Sequence, residues 1–326
     1  MRQVAQQAGV SIATVSRVFN GGPVGADTRQ RIERVAREMR YVPNRAAQSL
    51  NTARTQTIGV ILPNLYGAFF SELLRALDIA ARESQYHLLV SGSYGGLDEL
   101  VASLRAMSGR VDALVVMSPV VDVDVIDANL PPSVPTILLG ETHASSSHGA
   151  FGVNNIAGAR EMTEHLIGLG HRRIAHQCGA EGNRDAADRL QGYHEAMQAA
   201  GLPTDGLVLP GDFTEDSGHR AAQSLVDANS LPDALFASND AMAIGAMSAF
   251  QDAGLAVPDD IAIAGFDDVP LARYLQPALT SVCVPLDTLT SQAVDHLLAA
   301  VSGEPLSPHA VTFPTDLVVR ASCGAR

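Results

Sequence analysis

Residues 4–20 run Val4-Ala5-Gln6-Gln7-Ala8-Gly9-Val10-Ser11-Ile12-Ala13-Thr14-Val15-Ser16-Arg17-Val18-Phe19-Asn20. A short helix breaks at Gly9, the residue type that takes a positive φ without steric cost and so permits a tight helix–helix turn. Ser11 follows, placed to cap a second helix predicted from Ile12 to about Asn20. On that helix Val15, Val18 and Phe19 share the face turned toward the first helix. Ile12, Ala13, Ser16 and Arg17 share the opposite face at i, i+4 spacing. A third helix is predicted over 27–40, with Ile32, Val35, Ala36 and Met39 inward and its arginines outward. In a helix-turn-helix, the exposed N-terminal face after such a turn enters the major groove. A plain three-helix module satisfies the same spacing.

Charge leans toward the first reading without excluding the second, since nine arginines within 57 residues could be only the solvated face of a small helical domain. The 326 residues are 46% hydrophobic and 17% charged, enough for two domains with real cores, and the formal net charge is −13. Taken whole, that charge argues against a nucleic-acid partner. Divided at residue 57 it does not. The first 57 residues hold nine arginines against Asp27, Glu33 and Glu38, a net of +6, and the remainder carries −19. A basic patch on an acidic chain is the electrostatic footprint of a DNA-binding module. All 22 basic residues are arginine, whose planar fork suits bidentate contacts to phosphate or guanine. Cys178, Cys283 and Cys323 are too widely spaced for a zinc ribbon or a disulfide framework. No apolar run reaches about 18 residues, and no basic-then-apolar leader opens the chain. A cytoplasmic protein without membrane contact is expected.

Beyond residue 57 the pattern changes. Strands are predicted over 57–63, 87–93, 111–118, 135–140, 173–179, 234–239, 261–267 and 280–284. Helical stretches such as 67–84 and 185–200 lie between them. Near-continuous apolar strands alternating with helices imply parallel sheets covered on both faces. There are more strands than one sheet holds comfortably, so two doubly wound subdomains are expected.

The string Val4 to Asn20 closely resembles the lactose-repressor (LacI/GalR) family of bacterial transcription regulators. The resemblance continues through Thr28-Arg29-x-Arg31-Ile32, Tyr41-Val42-Pro43-Asn44 and Ala47-x-Ser49-Leu50. It resumes at Thr57-Ile58-Gly59-Val60, Asn154-Asn155-x-x-Gly158-Ala159 and the run from His165 to Ile174. Arg189-Leu190-x-Gly192-Tyr193 and the run from Ser238 to Gly245 follow. Val257-Pro258-Asp259-Asp260, Gly265-Phe266-Asp267-Asp268 and the run from Leu317 to Ser322 complete the series, in family order along nearly the whole chain. The implied fold is α/β: a periplasmic-binding-protein-like core of two doubly wound parallel-sheet subdomains, plus an N-terminal all-α helix-turn-helix head. The implied organisation is a head over 1–42, a hinge helix and linker over 43–56, and an effector-binding and dimerisation domain over 57–326. Within the last, an N-subdomain takes about 57–155 plus 285–313 and a C-subdomain about 156–284 plus 314–326.

The resemblance also implies partners. In this family the second helix reads half of a near-palindromic operator and a homodimer reads both halves. Ile12, Ala13 and Arg17 then face base edges, Arg17 through a bidentate contact to guanine and the two apolar residues against thymine methyls. Ser11, Thr14, Ser16 and Asn20 touch the DNA backbone and set register. Residues 44–51 match the family's hinge helix, with Asn44, Ala47 and Leu50 at the minor groove and Leu50 wedged into the central step. Two departures stand out. The family's threonine cap and isoleucine before the first helix are replaced by Met1-Arg2-Gln3, so either Met1 substitutes for the isoleucine or the start lies upstream. Gly25 also stands where a serine usually caps the third helix.

Ligands of open α/β sheets gather at the C-terminal ends of strands. That rule points to 64–70, 91–95, Ser118, Glu141, Asn239-Asp240 and Asp267. The family match singles out Arg189, Asn239 and Asp267 as polar anchors for an effector, which the resemblance makes a sugar or sugar derivative. Tyr66, Phe69, Phe70 and Phe213 could supply an apolar wall, with Ser91 and Ser118 as further polar contacts. Each aromatic taken alone reads as well as core.

Searching for chemistry gives little. Ser91-Gly92-Ser93-Tyr94-Gly95 is not a nucleophile elbow, since Ser91 occupies the first glycine position. His165, His171 and His176 lack metal-ligand spacing and read as surface or capping histidines. No catalytic residue, metal or cofactor is expected. The leading reading is a ligand-controlled repressor. A transport-type solute-binding protein would need an export leader and has no use for the head, and an enzyme on this fold would need a reactive group. No leucine heptad follows residues 318–322, the tail some relatives use to tetramerise, so a dimer is expected.

Overall fold

In the computed structural model the chain forms two units, Met1–Gln56 and Thr57–Arg326. The structure describes residues 1–19, 22–41, 54–94, 96–142, 148–304 and 310–325. Asn20, Asn44, Ala47 and Leu50 lie outside the described residues.

In the first unit, α1 (Arg2–Ala8) stops at Gly9, whose φ of 64° and ψ of 38° are the left-handed values anticipated for that turn. Helix α2 (Ile12–Phe19) starts under Ser11, whose Oγ accepts the Thr14 N–H at 3.1 Å. Helix α3 (Ala26–Glu38) closes the module. Val4, Ala5 and Ala8 of α1 meet Val15 and Val18 of α2 and Ile32, Val35 and Ala36 of α3 in one apolar cluster, with Met1 packed at its edge. The arginines of α3 are not uniformly outward. Arg29 turns back, its guanidinium donating to the Val18 carbonyl at 3.2 Å and the Gly22 carbonyl at 2.9 Å. A helix end leaves carbonyls without intrahelical partners, so this arginine acts as a C-cap for α2. Gly25 occupies the N-cap of α3 with no side-chain cap, as its lack of a hydroxyl dictates.

The second unit alternates strands and helices. The chain lays down β1 (Thr57–Leu62), α4 (Ala68–Glu83), β2 (His87–Gly92), α5 (Leu97–Met107), β3 (Ala113–Met117), α6 (Val123–Asn129), β4 (Thr136–Leu139) and β5 (Gly149–Val153). It then passes through α7 (Asn155–Gly168) to β6 (Ile174–Gln177), α8 (Arg184–Ala199), β7 (Val208–Leu209), α9 (Glu215–Asp227), β8 (Ala234–Ala237), α10 (Asp240–Asp252), β9 (Ala262–Asp267) and β10 (Thr280–Cys283). Helix α11 (Leu286–Val301) returns it to β11 (Ala310–Phe313), and a last crossing leads to β12 (Asp316–Val318).

Two six-stranded sheets result, ordered β11-β5-β4-β3-β1-β2 and β12-β10-β9-β8-β6-β7. The first is parallel throughout, and the second is parallel except for β12 against β10. Central strands β3 and β9 are buried at every position, as strands covered on both faces must be, whereas edge strand β2 is not. In each sheet the strand order reverses once, between β1 and β3 and between β6 and β8, which creates a crevice at the strands' C-terminal ends. Three chain crossings join the two halves at one side of that crevice. Among the described residues no helix is long and apolar enough to cross a membrane.

Four strands, β5, β7, β11 and β12, are absent from the sequence-based expectation. Strands β7 and β12 are only two and three residues long. In β5, Gly149 and Gly152 weaken the strand signal, yet Gly152 is needed. A Cβ there would lie 2.7 Å from the Glu141 carbonyl oxygen.

Candidate functional site

Each unit offers one candidate site. In the first, the face of α2 away from the apolar cluster presents Ile12, Ala13 and Arg17, all exposed, with Ile12 44% accessible. Ser11 is also exposed, and Thr14 and Ser16 are half-buried. An isoleucine left exposed on the same helix face as an arginine, while the valines three and six positions on are buried, is the arrangement a groove-reading helix needs. Ser11 serves locally as well, since its Oγ lies 2.8 Å from Thr14 Oγ1.

In the second unit a cavity of about 430 Å³ lies between the two sheets, where both strand orders reverse. The loop after β1 contributes Tyr66, the first turn of α4 contributes Phe69 and Phe70, and the loop after β3 contributes Pro119 and Val120. From the other half come Asp185 and Arg189 of α8, Asp212 and Phe213 after β7, Asn239 after β8 and Asp267 at the end of β9. The structure therefore brings together seven of the nine residues expected to contact an effector.

Arg189 is the centre of the polar floor. It is 6% exposed, and its Nε donates to Asn155 Oδ1 at 2.9 Å while an Nη donates to the Ser238 carbonyl. Asp267 Oδ1 lies 3.5 Å from Nη1, and the guanidinium carbon sits 3.7 Å above the Phe266 ring. Asn155 in turn donates through Nδ2 to Asp185 Oδ1 at 2.8 Å. The result is a line of alternating donors and acceptors, Asp185–Asn155–Arg189–Asp267, along one wall. Such a line can satisfy adjacent hydroxyls as either donor or acceptor. Burial pushes the Asp267 carboxyl up to about 7 even against the opposing pull of Arg189. Burial also raises Asp185, with Arg189, Asn155 and Arg184 pulling the other way. Asp267 is therefore protonated more readily than an exposed aspartate, and its protonated form can donate a hydrogen bond where the carboxylate only accepts.

The apolar wall is built as tightly. Phe69 and Phe70 meet edge to face at 5.4 Å between ring centres. Phe213 lies over Gly179, where an added Cβ would come within 2.0 Å of the ring. Tyr94, Phe213 and Asp267 have φ values of 44°, 68° and 106°, in the left-handed region that side chains other than glycine seldom enter. Such conformations concentrate at binding sites, where surrounding structure holds them. Asn239 lines the cavity, but its Oδ1 caps α10 by accepting the Met242 N–H at 3.0 Å. Its Nδ2 donates to the Phe213 carbonyl at 3.1 Å, so its amide mainly holds the walls in place.

Two expected contacts are corrected. Ser91 points to the outer face, its Oγ 2.9 Å from Ser103 Oγ on α5. Ser118 is 3% exposed, and it is its carbonyl that faces the crevice, accepting from Arg184 Nη2 at 3.0 Å. The strand-end rule locates the loop but not which face a side chain takes, because successive residues alternate. Asp212 was missed because it follows β7, a strand too short to be expected, and Asp185 for a related reason. An aspartate in the first turn of a helix reads as a partner for the helix dipole, and nothing local marks it as also facing a cavity.

His176 is a second correction, since it is wholly buried rather than superficial. Its ring stacks on Tyr193 at 5.1 Å and Nε2 lies 3.1 Å from Ser238 Oγ. Burial first, then nearby His194, depress its pKa to about 3. A depressed histidine contributes stability that is complete above its unfolded pKa of about 6.5 and is lost as pH falls toward the folded value, by about 1.4 kcal/mol per pH unit. A His176→Gln protein is expected to lose less stability between pH 7 and pH 4.5 than the unmodified chain in chemical denaturation. Equal losses would refute this assignment.

Comparison with known proteins matches residues 1–44 to the model of bacterial regulatory proteins of the lacI family, and residues 163–323 to a periplasmic binding protein-like domain. Catabolite control protein A of Priestia megaterium is 32% identical over 98% of this chain and 97% of its own length. A lac repressor dimer bound to operator and the anti-inducer ONPF superposes with a TM-score of 0.85, at 30% identity, over 99% of this chain and 98% of that one. The transcriptional regulator CelR in complex with cellobiose gives a TM-score of 0.72 at 32% identity, over 98% of each chain.

Proposed function

This chain belongs to the LacI family of bacterial regulatory proteins, and from that premise we propose that it is a cytoplasmic repressor whose grip on operator DNA is set by a small molecule. The observation that carries the reading is the pairing, on one chain, of an exposed Ile12–Ala13–Arg17 helix face with an inter-sheet cavity floored by Arg189 and Asp267. Residues 1–42 act as the DNA-reading head, 43–56 as hinge helix and linker, and 57–326 as the effector and dimerisation domain, divided into subdomains at the crossings between sheets. Two copies read a near-palindromic operator. Ile12, Ala13 and Arg17 reach base edges, and Ser11, Thr14, Ser16 and Asn20 hold the backbone. Asn44, Ala47 and Leu50 occupy the minor groove between the half-sites.

The effector is a sugar or sugar derivative, and the cavity's charge narrows it to uncharged ones. Asp185, Asp212, Glu215 and Asp267 line the cavity, while Arg189 is the one cation among its described lining residues. Arg189 is already engaged by Asp267, so a phosphate or carboxylate brought inside finds no further cation among the described lining residues. Thermal-shift measurements with neutral mono- and disaccharides, glucose 6-phosphate and gluconate test this. A ligand at 100 times its Kd adds about 2.7 kcal/mol of stability. A neutral saccharide is expected to raise the melting temperature and the two anions to leave it unchanged. Stabilisation by the anions alone would overturn the assignment.

A further inference from the structure

Arg184 is the first residue of α8, and it does not face the cavity. Its side chain crosses the crevice to the other sheet's loops. Nη1 donates to the Val121 carbonyl at 2.8 Å, Nη2 donates to the Ser118 carbonyl at 3.0 Å, and the guanidinium pairs with the Glu141 carboxylate. Its backbone N–H makes the same crossing, donating to the Pro119 carbonyl at 3.2 Å. Helix N-termini leave their first N–H groups without intrahelical acceptors, so here the opposite half of the fold supplies one. Glu141 is 6% exposed, and its backbone is seated against Gly152 of β5, where a Cβ would lie 2.7 Å from the Glu141 carbonyl oxygen. Asn183, Asp185 and Arg189, around the latch residue, belong to the cavity itself.

From this geometry we propose that Arg184 and Glu141 form a latch across the crevice, a direct protein contact that favours its closed form. Opening it breaks four donor contacts at once, the ion pair with the buried Glu141 carboxylate among them. The ion pair is the heaviest of these, because separating a buried ion pair is strongly unfavourable. The latch biases the crevice toward closed. An effector that needs the closed form then binds a cavity already assembled, while one that needs the open form must work against the latch. This role in controlling effector response rests on the function proposed above, whereas the latch itself does not.

Hydrogen exchange at the Arg184 amide reads the latch directly, with neither effector nor DNA present. Site-resolved exchange on the full-length, ligand-free protein is expected to find that amide protected. In Glu141→Gln the rate is expected to rise by about tenfold, the loss of one charge-assisted hydrogen-bond partner, and in Arg184→Met, which loses all three side-chain contacts, by at least as much. Amides in the middle of α7 and α10 serve as the folding control and should keep their rates. Free exchange of the Arg184 amide in the unmodified protein would overturn the proposal, and so would rates unchanged in both variants. Because the unmodified protein decides the first point, a variant that fails to fold does not rescue the idea. A failed effector screen would leave this measurement untouched.

Discussion

An Arg189→Ala protein is expected to bind operator DNA and to ignore its effector. The guanidinium holds Asn155, the Ser238 carbonyl and Asp267 in one line and is itself buried. Truncation removes the cation that partly offsets burial of Asp267 and Asp185, so both carboxyls shift further toward their protonated forms. Losing a hydrogen bond from a charged donor to the ligand costs about 1.5–3 kcal/mol, which corresponds to at least a tenfold loss in effector affinity. Isothermal titration with the stabilising saccharide measures the loss, and duplex binding shows whether the head is intact. Arg189→Lys separates charge from shape. A lysine keeps the cation but lacks the planar fork that reaches Asn155 and the Ser238 carbonyl together, so most of the affinity should still be lost. Full recovery by lysine would show that charge alone matters.

The second large effect is at Arg17. Its side chain is exposed on α2, so Arg17→Ala should leave the head folded by circular dichroism. Discrimination between operator and random duplex is expected to fall by roughly 1–3 kcal/mol, the value of one bidentate contact to a base pair. Binding to random DNA should weaken much less, because it depends on the summed phosphate contacts. Equal loss on both duplexes would place Arg17 at the backbone instead of a base. The charge division frames this result. With +6 on the first 57 residues and −19 on the rest, the acidic body is expected to repel the duplex, so the salt slope of binding should report only a few phosphate contacts per dimer.

The head was legible because each step of its reading has a local cause. Gly9 had to take a positive φ, Ser11 had to cap, and the valines had to face one way, and all three hold. Arg29 escaped because its partners, the Val18 and Gly22 carbonyls, exist only once the turn has formed. In the body, the long apolar strands stood out, whereas β5 is weakened by Gly149 and Gly152, the second of which a close approach to residue 141 requires. The cavity was half readable. Topology identifies strand ends and the family pattern supplies Arg189, Asn239 and Asp267. The faces of Ser91 and Ser118 and the inward turn of Asp185 depend on packing between elements distant in sequence. His176 shows the same limit: a polar residue inside a short apolar strand reads as surface until Tyr193 and Ser238 are seen around it.

The central claim is that one small molecule in the cavity controls the affinity of the head for DNA. Fluorescence anisotropy tests it, using a labelled near-palindromic duplex selected by the protein itself, titrated with and without the saccharide that gives the largest thermal shift. Coupling between two sites is commonly about 5–150-fold, and by linkage the operator must change saccharide affinity by the same factor. The expected result is an operator Kd that moves by at least about fivefold at saturating saccharide in the unmodified protein and does not move in Arg189→Ala. An operator Kd that stays constant while the saccharide demonstrably occupies the cavity would contradict the account.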